Sequence, residues 1–206
     1  MASIERIFIK DEWYHIYNRG NHKENIFRDR YDYFIFTKKL IELREEYKIN
    51  IASYILMSNH FHILCSPSDY SYNISLLFSR LMNSYTKIFN IKYSEVGRLV
   101  QDRFKSKHIE TEEYLLHLSR YIHLNAINSS LTPEVKLELM LDRYPYSSWR
   151  EYLSGRYKVV NSFDILLDQF TGSNRRGQYL KFVKEYSKIH TDRKEIILSI
   201  QDNLDI

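Results

Sequence analysis

The chain has 206 residues, 44% hydrophobic and 27% charged, with a formal net charge of +4. That length suits one domain of ordinary size with a real core, and the composition excludes a disordered or fibrous chain. No apolar stretch approaches the ~20 residues needed to cross a bilayer. No charged-then-apolar leader opens the chain, and the single cysteine, Cys65, allows no internal disulfide, so a cytoplasmic protein with no membrane partner is expected.

Residues 13–19 (Trp-Tyr-His-Ile-Tyr-Asn-Arg) are aromatic and β-favouring and break at Gly20-Asn21, which predicts a first strand. Over 29–46 the pattern turns helical. Tyr33, Phe34, Phe36, Thr37, Leu40, Ile41 and Leu43 form the apolar side, with Lys38, Lys39, Glu42 and Arg44 largely opposite. Residues 49–57 and 60–66 read as two apolar strands joined at Ser58-Asn59, a tight turn without glycine. A second helix is expected over 73–89, with Ile74, Leu77, Leu81, Tyr85 and Ile88 as its stripe. Residues 97–109 read as a turn and a fourth strand with a basic face. Thr111 then makes an N-cap, with Glu112 and Glu113 where the helix dipole favours acids, for a helix reaching about Asn128 around Leu115, Leu118 and Ile122. The order β-α-β-β-α-β followed by a helix predicts an α+β, ferredoxin-like split βαβ fold with an antiparallel sheet. Past Ser154-Gly155 three helical patterns, 162–170, 176–186 and 191–204, suggest a small helical C-terminal tail over 156–206.

Two features point to chemistry. The first is His60-Phe61-His62. Side chains two apart on a strand share a face, so both imidazoles stand side by side while Phe61, Ile63 and Cys65 turn into the core. Such a pair is a ready set of metal ligands, although two half-buried histidines satisfied by backbone or water would give the same triplet. The second is Tyr121-Ile-His-Leu-Asn125, where Tyr121 and Asn125 lie one above the other on a helix face beside the apolar stripe. His123 projects away from Tyr121. The 18 tyrosines add faces for base stacking, which makes single-stranded nucleic acid a fitting ligand, although most of the rings belong to core positions.

Taken in order, these segments resemble the single-tyrosine HUH transposases, the IS200/IS605-like family, and especially its relatives associated with repetitive extragenic palindromes. Tyr14-His-Ile-Tyr-Asn-Arg-Gly20 is similar to the family's first strand, and Met57-Ser-Asn-His-Phe-His62 to its histidine–hydrophobic–histidine motif. Gly97-Arg-Leu-Val-Gln-Asp-Arg-Phe104 is similar to its basic segment, Tyr121-Ile-His-Leu-Asn125 to its nucleophile helix, and Tyr144-Pro-Tyr-Ser-Ser-Trp149 to the segment that follows. The family often has Pro where this chain has Ser58, and Asn-Pro where it has Asn125-Ala126. Neither change removes a reacting group, and Ala126 lets the helix run on.

The resemblance implies that 1–155 is a nuclease domain in which His60, His62 and Asn125 hold one divalent ion, Mg²⁺ or Mn²⁺. Tyr121 would attack a scissile phosphate, forming a 5′-phosphotyrosine and freeing a 3′-hydroxyl. It implies single-stranded DNA with hairpin ends as substrate and a homodimer as the working unit. Arg19, Lys23, Arg98, Arg103, Lys105 and Lys107 are the candidates for contacts to the DNA backbone, with Arg175, Arg176 and Lys181 in the tail as candidates for a hairpin stem. A domesticated nickase would keep the same residues. The alternative from another class is a ferredoxin-like nucleic-acid-binding protein without catalysis. His15, His108 and His117 stay unassigned.

Overall fold

The structure is a computed structural model and describes residues 6–69, 73–127 and 134–186. Its centre is a four-stranded antiparallel sheet in the order β2-β3-β1-β4. Strand β1 (Trp13–Arg19) leads through a short 3-10 turn to helix α1 (Arg30–Glu46), then to β2 (Ile49–Leu56) and β3 (His60–Pro67). Helix α2 (Asn73–Tyr93), strand β4 (Lys105–Ile109) and helix α3 (Glu112–Leu124) complete the split βαβ arrangement with its added helix. Beyond it come α4 (Glu134–Arg143), α5 (Trp149–Ser154), α6 (Asp164–Leu167) and α7 (Arg175–Tyr186).

Strand alternation divides the side chains between two layers. On one face Phe61 meets Phe36 of α1 and Phe78 of α2, a fully apolar contact. The other face carries His15, Tyr17, His60 and His62, and α3 covers it. The histidine-bearing face is therefore the inner one of α3, and the α1–α2 layer only supports it from behind.

The ends of the elements have local causes. Asp29 caps α1 by accepting from the backbone N–H of Tyr31 and Asp32, and Asp32 returns the favour to Asp29. Helix α2 outruns its predicted end because Lys92 donates to Asp29 and Asp32 at 2.7 Å each, and the Tyr93 hydroxyl donates to Asp32 at 2.8 Å. These bonds stitch α2 to the start of α1. Thr111 caps α3 as expected, accepting from the Tyr114 N–H at 3.1 Å. The α-helix stops at Leu124 and tightens into a 3-10 turn, Asn125–Ile127; the predicted end near Asn128 lies outside the described residues, as does the predicted helix over 191–204.

Three expectations need correction. Phe34 is exposed, because it leads outward next to the buried Tyr33. Arg44, placed on the wet side by periodicity, is buried: its guanidinium reaches across the α1 end to donate to the carbonyl of Val159 and to pair with Glu45. The predicted helix over 162–170 shortens to Asp164–Leu167, with no side chain capping its start and the Phe163 ring at its entry stacked flat on Tyr157 at 4.1 Å.

The Ser58-Asn59 turn needs no glycine. Neither residue has a positive φ, and the turn is pinned from outside, with the Ser58 carbonyl accepting from Ile26 and Phe27 and the Asn59 carbonyl from Gly20. At Gly20 a Cβ would fall 2.0 Å from the Glu24 carbonyl, so this close approach demands glycine. The outer edge of β2 is covered by residues 146–162: Leu56 donates to Tyr146, and Ile51 accepts from Asn161 and Ser162. Strand β4 forms the opposite edge. No helix among the described residues is long and apolar enough to cross a membrane.

Candidate active site

The β1–β3 register sets the site. Arg19 lies opposite His60, Tyr17 opposite His62 and His15 opposite Leu64, all on the face toward α3. The rings of His60 and His62 stand 5.1 Å apart, edge to face. Two turns from the α3 N-terminus and beyond, Tyr121 comes down on this pair, its ring 5.8 Å from that of His62. Asn125, the C-cap of α3, donates through Nδ2 to the Tyr121 carbonyl at 3.0 Å, and its side chain favours the charged form of the Tyr121 phenol. The four residues implied as a reacting set are thus gathered in one chain, from two elements far apart in sequence.

Electrostatics suits them to different roles. Burial, then the positive charge of Arg19, pushes the His60 imidazole down to about 4, and burial with its two neighbouring histidines holds His62 well below the ordinary value. Both are therefore neutral, the form that ligates metals. Tyr121 is shifted the other way. Burial raises its phenol, and the Asn125 side chain partly offsets that. No group of three or more His, Cys, Asp or Glu among the described residues could hold an ion. Two neutral imidazoles could, if the third protein donor were an amide oxygen, and Asn125, one helical turn after Tyr121, carries one. The donor set of this pocket fits a divalent ion that also accepts oxygen ligands from substrate and water.

Two partners of the histidines were not anticipated. His15, fully buried, places Nε2 2.9 Å from His62 Nδ1. Asn59 places Oδ1 2.6 Å from His60 Nδ1, and its own Nδ2 donates to the Lys23 carbonyl at 3.1 Å. Strand alternation alone puts His15, Tyr17 and Arg19 on one face. What the sequence lacks is the cross-strand register that brings His15 to His62.

The basic candidates divide between the two faces of the sheet. Arg19 is half-buried beside His60, and Lys105 and Lys107 lie across from Tyr17 and His15 on the α3 face, Lys107 with its ammonium 4.9 Å over the Tyr114 ring. Lys23 is exposed on the turn that accepts from Asn59. Arg98 and Arg103 instead line a groove of about 870 Å³ on the opposite side, between α2 and residues 97–104, together with Arg6, Asn18, Asn83 and Lys87. The tail candidates do not join either group: Arg175 pairs with Asp168 and Lys181 with Glu185.

The unassigned histidines resolve simply. His108 pairs with Glu12 at 2.9 Å, and His117 contacts Arg120 at 2.7 Å. His123, on the far side of α3 from the site, is caged by Trp149, Tyr152 and Tyr179, and neither of its nitrogens has a hydrogen-bond partner.

A solved structure described as the REP-associated tyrosine transposase bound to a REP hairpin has a similar fold, with a TM-score of 0.55 and 17% identity, covering 85% of this chain and 96% of that one. A second likeness, to tRNA(His) guanylyltransferase from Saccharomyces cerevisiae, has a TM-score of 0.45 and 10% identity over 92% of this chain and 83% of the other. No curated protein sequence matches the chain. The family model for IS200-like transposases matches residues 9–125, more than half of the chain, from the approach to β1 through Asn125. The chain belongs to the IS200-like transposase family.

Proposed function

We propose that this transposase is a metal-dependent enzyme for single-stranded DNA that cleaves through a 5′-phosphotyrosine intermediate and rejoins strands at hairpin-bearing ends. The observation that carries the reading is the convergence of the Tyr121 ring on that of His62, with the Asn125 side chain bonded to the Tyr121 carbonyl. His60, His62 and Asn125 would hold a divalent ion, Mg²⁺ or Mn²⁺, which supplies Lewis-acid polarisation of the scissile phosphate.

The chain's own residues do the rest. Tyr121 gives up its phenolic proton and forms a bond to phosphorus, the bond from phosphorus to the 3′-oxygen breaks, and that oxygen takes a proton to become a free hydroxyl. The phosphodiester energy is kept in the phosphotyrosine, so a second 3′-hydroxyl can reverse the step without ATP. Because burial raises the phenol above its usual value of about 10, deprotonation is the demanding part, and the Asn125 side chain favours the phenolate. Arg19, beside His60, is placed to meet a phosphate near the site. Lys105 and Lys107 continue the basic track on the same face, and Lys23 lies at its turn. Arg98 and Arg103, in the groove behind the sheet, would take DNA that wraps beyond the cleaved strand. That the similar transposase was solved with a REP hairpin supports a hairpin as the DNA held there.

Moving one strand between two ends needs two tyrosines, hence two copies of this chain. With the β2 edge already covered, β4 is the edge left for strand pairing in such a homodimer. Residues 1–155 carry the chemistry in this reading, and the described part of the tail, residues 156–186, steadies α3, as the Tyr179–Ser119 hydrogen bond at 3.0 Å and the stacking of Arg120 on Phe182 support.

The test is incubation with end-labelled single-stranded DNA carrying an imperfect hairpin, with Mg²⁺ or Mn²⁺. The expected product is a covalent protein–DNA adduct that is absent in Tyr121→Phe and absent with chelator. Hairpin binding without an adduct, across a library of hairpins, would favour the non-catalytic binding protein. An adduct that persists in Tyr121→Phe overturns the assignment of the nucleophile.

A further inference from the structure

The site as read leaves His15 and Asn59 without a task, and each lies directly behind one of the two histidines. Asn59 is determined stepwise. Its Nδ2 donates to the Lys23 carbonyl, which turns Oδ1 toward His60, so the 2.6 Å contact is His60 Nδ1–H donating to Asn59 Oδ1. A neutral imidazole protonated on Nδ1 carries its lone pair on Nε2. The backbone of the turn after β1 thus decides, through Asn59, which His60 nitrogen can meet a ligand.

His62 is governed differently. Its Nδ1 is engaged with His15 Nε2 at 2.9 Å, so Nε2 is the one nitrogen left for a ligand. Two neutral rings hold two protons on four nitrogens, and one of those protons lies between the rings. The other sits either on His62 Nε2, which blocks ligation, or on His15 Nδ1, which frees it. His15 Nδ1 is buried with no hydrogen-bond partner, so no other group fixes its protonation. A ligand at His62 Nε2 selects the state with the proton on His15.

We propose that His15 and Asn59 are positioning residues for a divalent-ion site, occupying Nδ1 of His62 and His60 so that both Nε2 atoms face one ligand. This rests on the reading of His60 and His62 as ion ligands and adds what makes them so. Groups that orient metal-bound histidines in this way typically change ion affinity by about 10–100-fold when removed. His15 is the stronger case, because its loss frees a fully buried ring to rotate and to protonate on the wrong nitrogen. Asn59 works at the mouth of a turn, where water can replace it.

The experiment combines Mn²⁺ titration, followed by electron paramagnetic resonance, with long-range ¹H–¹⁵N spectra of the imidazoles with and without Mg²⁺. In the intact protein with Mg²⁺, His60 and His62 are expected to show protonated Nδ1 and ligated Nε2, and His15 a protonated Nδ1. His15→Leu should weaken Mn²⁺ binding about 10–100-fold and His15→Gln, whose carbonyl can accept from His62, should restore most of it. Asn59→Ala should weaken it by about tenfold at most. Ligation of His62 through Nδ1 in the intact protein overturns the proposal without any variant. Unchanged Mn²⁺ affinity in His15→Leu, alongside a lowered melting temperature, would mean a merely structural histidine. If His60→Ala binds Mn²⁺ as tightly as the parent chain, it is the ion reading beneath the proposal that fails.

Discussion

Helix α3 buries histidine neighbours on two sides, and the two sides follow different rules. Toward β3, His62 and His60 each have Nδ1 engaged, by His15 and Asn59, which leaves Nε2 as the free nitrogen of each, and the His62 ring meets Tyr121. Toward the tail, His123 lies among Trp149, Tyr152 and Tyr179 with no partner at either nitrogen. Burial holds His123 down to about 3, close to the value of about 3 reached by His15, so protonation state does not separate the two sides. Direction does. An imidazole whose one nitrogen is taken offers the other along a fixed line, whereas His123 behaves as a flat aromatic filler whose polarity the fold tolerates.

The sharpest way to break this contrast is to swap the outcomes. His60→Ala is expected to abolish the covalent adduct and lower Mn²⁺ affinity more than about a hundredfold, while His123→Phe leaves both intact. Mn²⁺ binding that depends on His123 would erase the distinction. Next in size is Trp149→Ala, which empties the largest ring of the cage. Truncating a fully buried Trp costs about 3–5 kcal/mol and should appear as a large drop in melting temperature.

Acid should expose what the two sides share. His15 and His123, each held to about 3, and His60, held to about 4, are neutral when folded but titrate near 6.5 when unfolded. Below about pH 6.5 the unfolded chain therefore binds protons that the folded chain refuses. Stability present above that pH is lost as pH falls, by about 1.4 kcal/mol per unit per histidine, until each folded value is reached. Chemical denaturation between about pH 7 and about pH 5 measures the slope, and His123→Phe should flatten it by one histidine's share. At neutral pH the same variant should gain about 1 kcal/mol or less, since removing two unsatisfied nitrogens is partly offset by fitting a larger ring into the cage. The smallest effect expected is from Tyr179→Phe, about 1 kcal/mol or less for the lost bond to Ser119, because Ser119 still donates to the Leu116 carbonyl at 2.7 Å.

Much of the fold was legible from local pattern. The predicted first strand over 13–19 coincides with β1, Thr111 caps α3, and Leu115, Leu118 and Ile122 are its buried stripe. These features rest on period and capping, which act over a few residues. Arg44 and the end of α2 were misjudged because they depend on distant partners: Arg44 is drawn inward by a carbonyl 115 positions away, and α2 is extended by carboxylates at the start of α1.

The same division runs through the site. The two-residue period of β3 and the four-residue repeat of α3 were enough to pair His60 with His62 and Tyr121 with Asn125, because each pair is local. Tertiary structure alone decided that the two pairs meet, that His15 backs His62, and that Arg98 and Arg103 stand on the opposite face from Lys105 and Lys107. Strand register and layer packing decide those contacts, and both depend on residues remote in sequence.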